Sequence, residues 1–275
     1  MTSRSTLASA IVSYAVLTAI GLFFAVPFVW LLLSSINPIA TFSADIPTHP
    51  SLDNFIAILT NGVVARPFAN SAVIAVSTMI ATVMLAGLAA YPLSRYPVPF
   101  KKTLMYAILF ASGLPILALV TPLFAMYVSL NLIDTFQGVI FFLVASSLPF
   151  NIWLMKNFLD GVPIELEEAA WVDGASVLVS FFRIVLPLTA PGVAVVGVLS
   201  FLGAWTNFFV PFILFQNPDN MPASVHIYNF FGQYGQVSYG QLAAYAMLYA
   251  LPVVVLYTFV SRFFVRGINL GGLKG

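Results

Sequence analysis

The chain has no cysteine in its 275 residues, and only 7% of them are charged. Missing thiols exclude a disulfide framework, a thiolate nucleophile and a thiol-based metal site. The scarcity of charge excludes more. Ten Lys and Arg with nine Asp and Glu cannot give a globule of this size the charged shell that water demands, since a soluble domain carries about 25% charged residues. Basic residues form no cluster, and a net charge of +1 leaves nothing to neutralise a phosphate backbone, so nucleic acid is excluded as a partner. No segment has the spacing of a phosphate-binding loop. The final glycines, Gly267, Gly271, Gly272 and Gly275, have no strand before them and no helix after. His49 and His226 are isolated from each other and read as solvated surface, so no catalytic residue and no metal site is assigned.

What remains is a chain that is 61% hydrophobic with a mean hydropathy of +1.01. The bilayer is its solvent. A helix crossing about 30 Å of hydrocarbon needs roughly 20 apolar residues and satisfies its own backbone within the segment. Six stretches qualify: residues 11–36, 71–91, 104–130, 136–154, 189–214 and 242–264. The first is longer than the apolar region of a signal peptide and reads as a retained helix. Kinks are expected at Pro27, Pro115, Pro122, Pro149, Pro211 and Pro252, where packed neighbours or water must take the freed carbonyls. The fold class is an all-α integral membrane protein, read as one domain over residues 1–275.

Cations set the expected sidedness, because Lys and Arg stay on the cytoplasmic side. With the N-terminus inside, Arg4, Arg95, Lys101, Lys102, Lys156, Arg183, Arg262, Arg266 and Lys274 are all cytoplasmic, and only Arg66 falls outside. Six crossings return the C-terminus to the cytoplasm, in a multi-pass membrane protein. No Asp, Glu, Lys, Arg or His lies in the middle of a span, which disfavours coupling to an ion gradient. A sodium site built from carbonyls and hydroxyls keeps a secondary transporter as the alternative.

Between the fourth and fifth stretches, residues 161–191 read GVPIELEEAAWVDGASVLVSFFRIVLPLTAP. Pro163 suits a first helical position, and Glu165, Glu167 and Glu168 put negative charge at the positive helix start. Gly174 can take the left-handed conformation that ends a helix, and Ser176 can cap the next. A bent helix pair running apolar into Pro187 and the fifth span is expected.

The pattern Glu168-Ala169-Ala170, three residues, Gly174, nine residues, then Ile184, Leu186 and Pro187 resembles the EAA loop of binding-protein-dependent ABC transporter permeases. Resemblance extends along the chain through Asn70-Ser71, Ala89-Ala90-Tyr91 with Arg95, Leu148-Pro149-Phe150, Ile152-Trp153 and Ala204-Trp205, and points to the carbohydrate-importer, maltose-type branch. In that family the loop, here about residues 161–188, is a coupling helix that docks on a nucleotide-binding subunit. The resemblance implies ATPase-coupling roles for Glu165, Glu168, Ala169, Ala170, Asp173, Gly174, Ile184, Leu186 and Pro187. Glu168 or Asp173 would pair with basic groups across that interface. The ending from Phe264, rich in glycine, is similar to the tail that maltose-type permeases direct toward their ATPases.

The resemblance also implies the assembly: a second, non-identical permease, two nucleotide-binding ATPase subunits and an extracytoplasmic solute-binding protein facing the outside loops. ATP and Mg belong to the partner ATPase, and this chain binds no cofactor. Selectivity for a neutral sugar combines hydrogen-bonding groups with an apolar or aromatic wall, so Asn151, Trp205, Thr206 and Asn207 are the candidate solute-pathway residues, with Ser146 and Ser147 behind them. Family members often carry Asn-Glu after that tryptophan. Thr206-Asn207 departs from this, which leaves a phosphodiester, a polyol or an amino sugar open as the solute.

Overall fold

Backbone amides denied water must bond within their own segment. In the computed structural model the described residues, 3–43, 45–113, 116–231 and 237–271, accordingly form helices and short connections. Side chains are described within 9–258. The helices are α1 Ser3–Ser35, α2 Asp53–Thr60, α3 Ala65–Arg95, α4 Lys101–Ala111, α5 Ile116–Ser129, α6 Phe136–Asp160, α7 Glu165–Val172 and α8 Val177–Ser180. A π-helical turn, Phe181–Val185, leads to α9 Leu186–Leu188, α10 Ala190–Trp205, α11 Phe209–Leu214, α12 Ala223–His226 and α13 Tyr239–Gly271. An isolated bridge joins Phe231 to Val237.

Four of these helices are long and apolar enough to cross a bilayer unaided: Ser9–Ser35, Ala65–Arg95, Phe136–Asp160 and Tyr239–Thr258. Two expected spans are interrupted. Residues 104–130 divide into α4 and α5. The end of α4 is tightened by the Ser112 and Gly113 N–H groups donating to Leu109 and Phe110 carbonyls three residues back. Pro115, the expected kink there, lies outside the described residues. Residues 189–214 divide at Thr206–Phe208 because Pro211 has no N–H to continue the ladder, and the Asn207 Oδ1 accepts from the Val210 N–H at 3.0 Å instead.

Contacts group the described chain into two units, residues 1–65 with 227–251, and residues 66–226 with 252–275. In the first, Asn54 Nδ2 donates to the carbonyls of Ser35 (3.1 Å) and Asn37 (2.9 Å), closing the turn after α1. Gly240 lies so close to the Asn54 amide that a Cβ would stand 2.5 Å away. Tyr245 and Ile58 are fully buried, and Phe230 rests on Tyr245 with ring centroids 5.1 Å apart. By contrast residues 9–29 of α1 are exposed within the chain, an apolar surface suited to lipid or another subunit.

The second unit is built on α6 lying along α10. Gly192 permits the approach: a Cβ there would meet the Phe158 ring at 2.5 Å. Ala86, Ala90 and Tyr91 of α3, Met155 and Leu159 of α6, Phe181 and Val185 of the π turn, and Val196 of α10 form one buried cluster. The small residues of α3 and the wide π turn fit together there.

Candidate functional site

The segment from 161 to 189 folds as a bent helix pair, and each bend has a local cause. Its first helix starts at Glu165 with Ile164 as cap, so Pro163 stands outside the helix rather than at its first position. The reason is tertiary: the Val162 carbonyl is taken by Arg95 Nη2 at 3.1 Å. Glu165, Glu167 and Glu168 occupy the first turn, where the helix dipole favours them. The helix ends in a Schellman motif. Gly174 adopts φ +87°, its N–H donates to the Trp171 carbonyl (3.0 Å), and the Ala175 N–H donates to the Ala170 carbonyl (2.9 Å). Ser176 then caps α8, its Oγ accepting from the Val179 N–H at 3.4 Å.

The π turn follows because Pro187 cannot donate to the carbonyl four residues back; Leu186 N–H reaches the Phe181 carbonyl, five residues back. At Thr189, between Pro187 and Pro191, the path into α10 bends by 78°. Thr189 Oγ1 donates to the Val185 carbonyl at 2.6 Å and holds the corner.

The residues singled out for coupling divide by environment. Glu165, Glu168, Ala169, Asp173, Gly174 and Pro187 are exposed, whereas Ala170, Ile184 and Leu186 are half-buried. Around the acids stand exposed apolar side chains, Val172 at 88% and Leu178 at 65%. The module thus presents a mixed acidic and apolar surface.

The residue that sequence reasoning missed is Glu167. It is fully buried, as is most of the Arg95 side chain. Arg95 Nε donates to Glu167 Oε1, and the Tyr91 hydroxyl donates to Oε2 at 2.7 Å. Arg95 Nη1 donates to the Leu159 carbonyl (3.0 Å) and to Ser94 Oγ (3.2 Å). Several kcal/mol of desolvation per buried ion is repaid only by such complete pairing. A signal was present: Ala170 and Trp171 lie three and four residues beyond Glu167, which marks the inward stripe of α7.

The four candidate pathway residues do not share one surface. Trp205 is buried, stacked on Phe201 with centroids 5.6 Å apart. Thr206 is exposed, its hydroxyl donating to the Leu202 carbonyl at 2.8 Å. Asn151 is buried, its Nδ2 donating to the Ser147 carbonyl at 2.8 Å. Asn207 lines a cavity of about 140 Å³ with Thr78, Ser146, Ser147, Ser200 and Gly203. The buried Thr78 and Ser200 hydroxyls have no hydrogen-bond partner, nor does Asn151 Oδ1 nearby on α6. Hydroxyls left unpaired at 1% and 2% exposure are costly in an apolar bundle, so this cavity is where polar matter is expected.

At the other end of α3 the connection 216–226 is fastened down. Asn70 Nδ2 donates to the carbonyls of Asp219 (2.9 Å) and Met221 (3.2 Å), Arg66 pairs with Asp219 at 2.9 Å, and Ser71 Oγ accepts from the Ala223 N–H. Asp134, in the left-handed region at φ +59°, accepts from the Gln216 and Asn217 N–H groups and from Asn220 Nδ2. Desolvation pushes its carboxyl up, but those N–H donors, Asn217 first, outweigh it and hold the carboxyl below its ordinary value. Burial lowers the His226 pKa. The glycine-rich ending beyond Gly271 lies outside the described residues.

Residues 82–269 match the family described as binding-protein-dependent transport system inner membrane component. The chain is 29% identical over 276 residues to a diacetylchitobiose uptake system permease protein of Streptomyces coelicolor, covering 96% of this chain and 89% of that one. It is 31% identical to a maltodextrin transport system permease protein of Bacillus subtilis, covering 86% and 85%, and 31% identical to a trehalose transport system permease protein of Mycobacterium tuberculosis, covering 90% and 92%. Its fold is that of a chain in a bacterial ABC transporter that imports the acidic polysaccharide alginate, with a TM-score of 0.82 at 20% identity over 96% of this chain and 99% of that one. A second alginate transporter structure, solved in complex with a periplasmic protein carrying an alginate pentasaccharide, matches with a TM-score of 0.66 at 17% identity, covering 97% and 98%.

Proposed function

The chain belongs to the binding-protein-dependent transport system inner membrane components, and on that premise we propose that it is the permease subunit of an ATP-driven importer of carbohydrate. The relatives named for diacetylchitobiose, maltodextrin and trehalose support an oligosaccharide as the solute. The observation that carries the mechanism is the α7–α8 module, an acidic and apolar surface whose bend is built into the Gly174 backbone. It is the ATPase-coupling surface. Glu165, Glu168 and Asp173 offer charge to basic groups of a nucleotide-binding subunit, while the exposed Ala169 allows close approach and the half-buried Ala170 faces inward beside Glu167.

The whole chain acts as one permease of six crossings: α1, α3, α4 with α5, α6, α10 with α11, and α13. Both termini are cytoplasmic, in keeping with nine of the ten cations. A second, non-identical permease completes the pathway, two ATPase subunits carry ATP and Mg, and an extracytoplasmic binding protein delivers solute. Closure of the ATPases draws the coupling helices together and opens the cavity outward, and hydrolysis resets it. Within the pathway the hydroxyls of Thr78, Ser146, Ser147 and Ser200, with Asn207, supply polar contacts to a sugar.

Gentle solubilisation, identification of co-purifying chains and reconstitution in vesicles test this. Uptake of labelled maltodextrin, trehalose or diacetylchitobiose is expected to need ATP and the binding protein. Accumulation by this chain alone, driven by a sodium or proton gradient, overturns it.

A further inference from the structure

Glu167 and Arg95 are more than a fastening of the coupling helix. An apolar contact would hold α7 in place at lower desolvation cost, and a buried ion pair is a weak source of net stability. What the pair adds is direction. The guanidinium reaches three elements at once: Glu167 on α7, the Leu159 carbonyl at the end of α6 with Val162 just beyond it, and its own helix α3 through Ser94. The Tyr91 hydroxyl holds the second carboxylate oxygen, so Glu167 cannot rotate away. Covalently, α7 joins α6 only through the linker 161–164.

The two helices so gripped carry the polar cavity. Thr78 lies 17 residues before Arg95 on α3 and Ser147 lies 12 residues before Leu159 on α6, about 26 Å and 18 Å along the axes at 1.5 Å per residue. We propose that Arg95 and Glu167, completed by Tyr91, are positioning residues that make α7, the cytoplasmic end of α3 and the end of α6 move as one body, so that displacement of the coupling helix is delivered to the walls of the cavity. This rests on the reading of α7–α8 as the ATPase-coupling surface.

The test uses the assembled transporter in vesicles, comparing wild type with Glu167→Gln and with the paired variant Arg95→Met/Glu167→Leu, which restores an uncharged core of similar volume. Assembly and basal ATP hydrolysis are expected to stay near wild type, while binding-protein-stimulated hydrolysis and maltodextrin, trehalose or diacetylchitobiose uptake fall about tenfold. A merely structural pair would leave the ratio of stimulated to basal hydrolysis unchanged. Wild-type stimulation and uptake in the paired variant overturns the proposal. Should the paired variant fail to assemble, the same ratio in Glu167→Gln decides. Absence of any co-purifying ATPase from wild type is a separate result, which removes the coupling reading itself and this proposal with it.

Discussion

Gly174 closes α7 at φ +87°, with both Schellman bonds made and nothing within 4 Å of where a Cβ would stand. Side-chain bulk therefore meets no obstacle within the chain, and the cost of substitution is backbone strain. For a β-branched residue in the left-handed region that strain is about 1–2 kcal/mol. It shifts the balance between the native bend and a frayed α7 end by a factor of about 5–30. Gly174→Val is expected to lower solute-stimulated ATP hydrolysis by up to that factor in the reconstituted complex, with membrane insertion intact. Gly174→Asn should lower it by less than about threefold, because asparagine visits the left-handed region at little cost. If Asn is as damaging as Val, backbone strain is not the reason for glycine, and exclusion of any side chain by the docked partner takes its place.

Gly192→Ala places a methyl 2.5 Å from the Phe158 ring; pushing α10 off α6 should cost about 1–3 kcal/mol, seen as a lower melting temperature in detergent, and Gly192→Ala with Phe158→Leu should recover part of it. Ser200→Ala removes a buried hydroxyl that lacks a partner, so thermal stability should hold or rise while the KM for the transported sugar increases several-fold; an unchanged KM argues against Ser200 in the pathway. Asp134 has a lowered native pKa, so its contribution to stability is present above the ordinary carboxylate pKa and lost as pH falls through the lowered value. Melting of the purified complex should weaken with acid over that range, and Asp134→Ala should flatten that part of the profile.

Membrane residence, helical class and the bent pair at 163–176 were legible in one dimension, since hydropathy, capping residues and a glycine after an acidic short helix are local signals. Gly174 and Ser176 do what their positions implied. The interruption at 206–208 was harder to see: Pro211 resembles the prolines that α5, α6 and α13 simply absorb at 122, 149 and 252. Whether a freed carbonyl finds a partner depends on neighbours, and neighbours are not written in a hydropathy profile.

Glu167 makes the same point at the site. Among three acids in one helical turn, only spacing to Ala170 and Trp171 hints at Glu167; its partners, Arg95, 72 positions earlier, and Tyr91, converge on it only in the fold. The hydroxyl-lined cavity likewise draws on α3, α6 and α10. Local chemistry along the chain was enough to say that this protein lives in lipid and carries a bent helix pair between its fourth and fifth apolar stretches. Which carboxylate is locked and which hydroxyls face one another came from packing, because the pairing of charges and dipoles distant along the chain is a property of the space between helices.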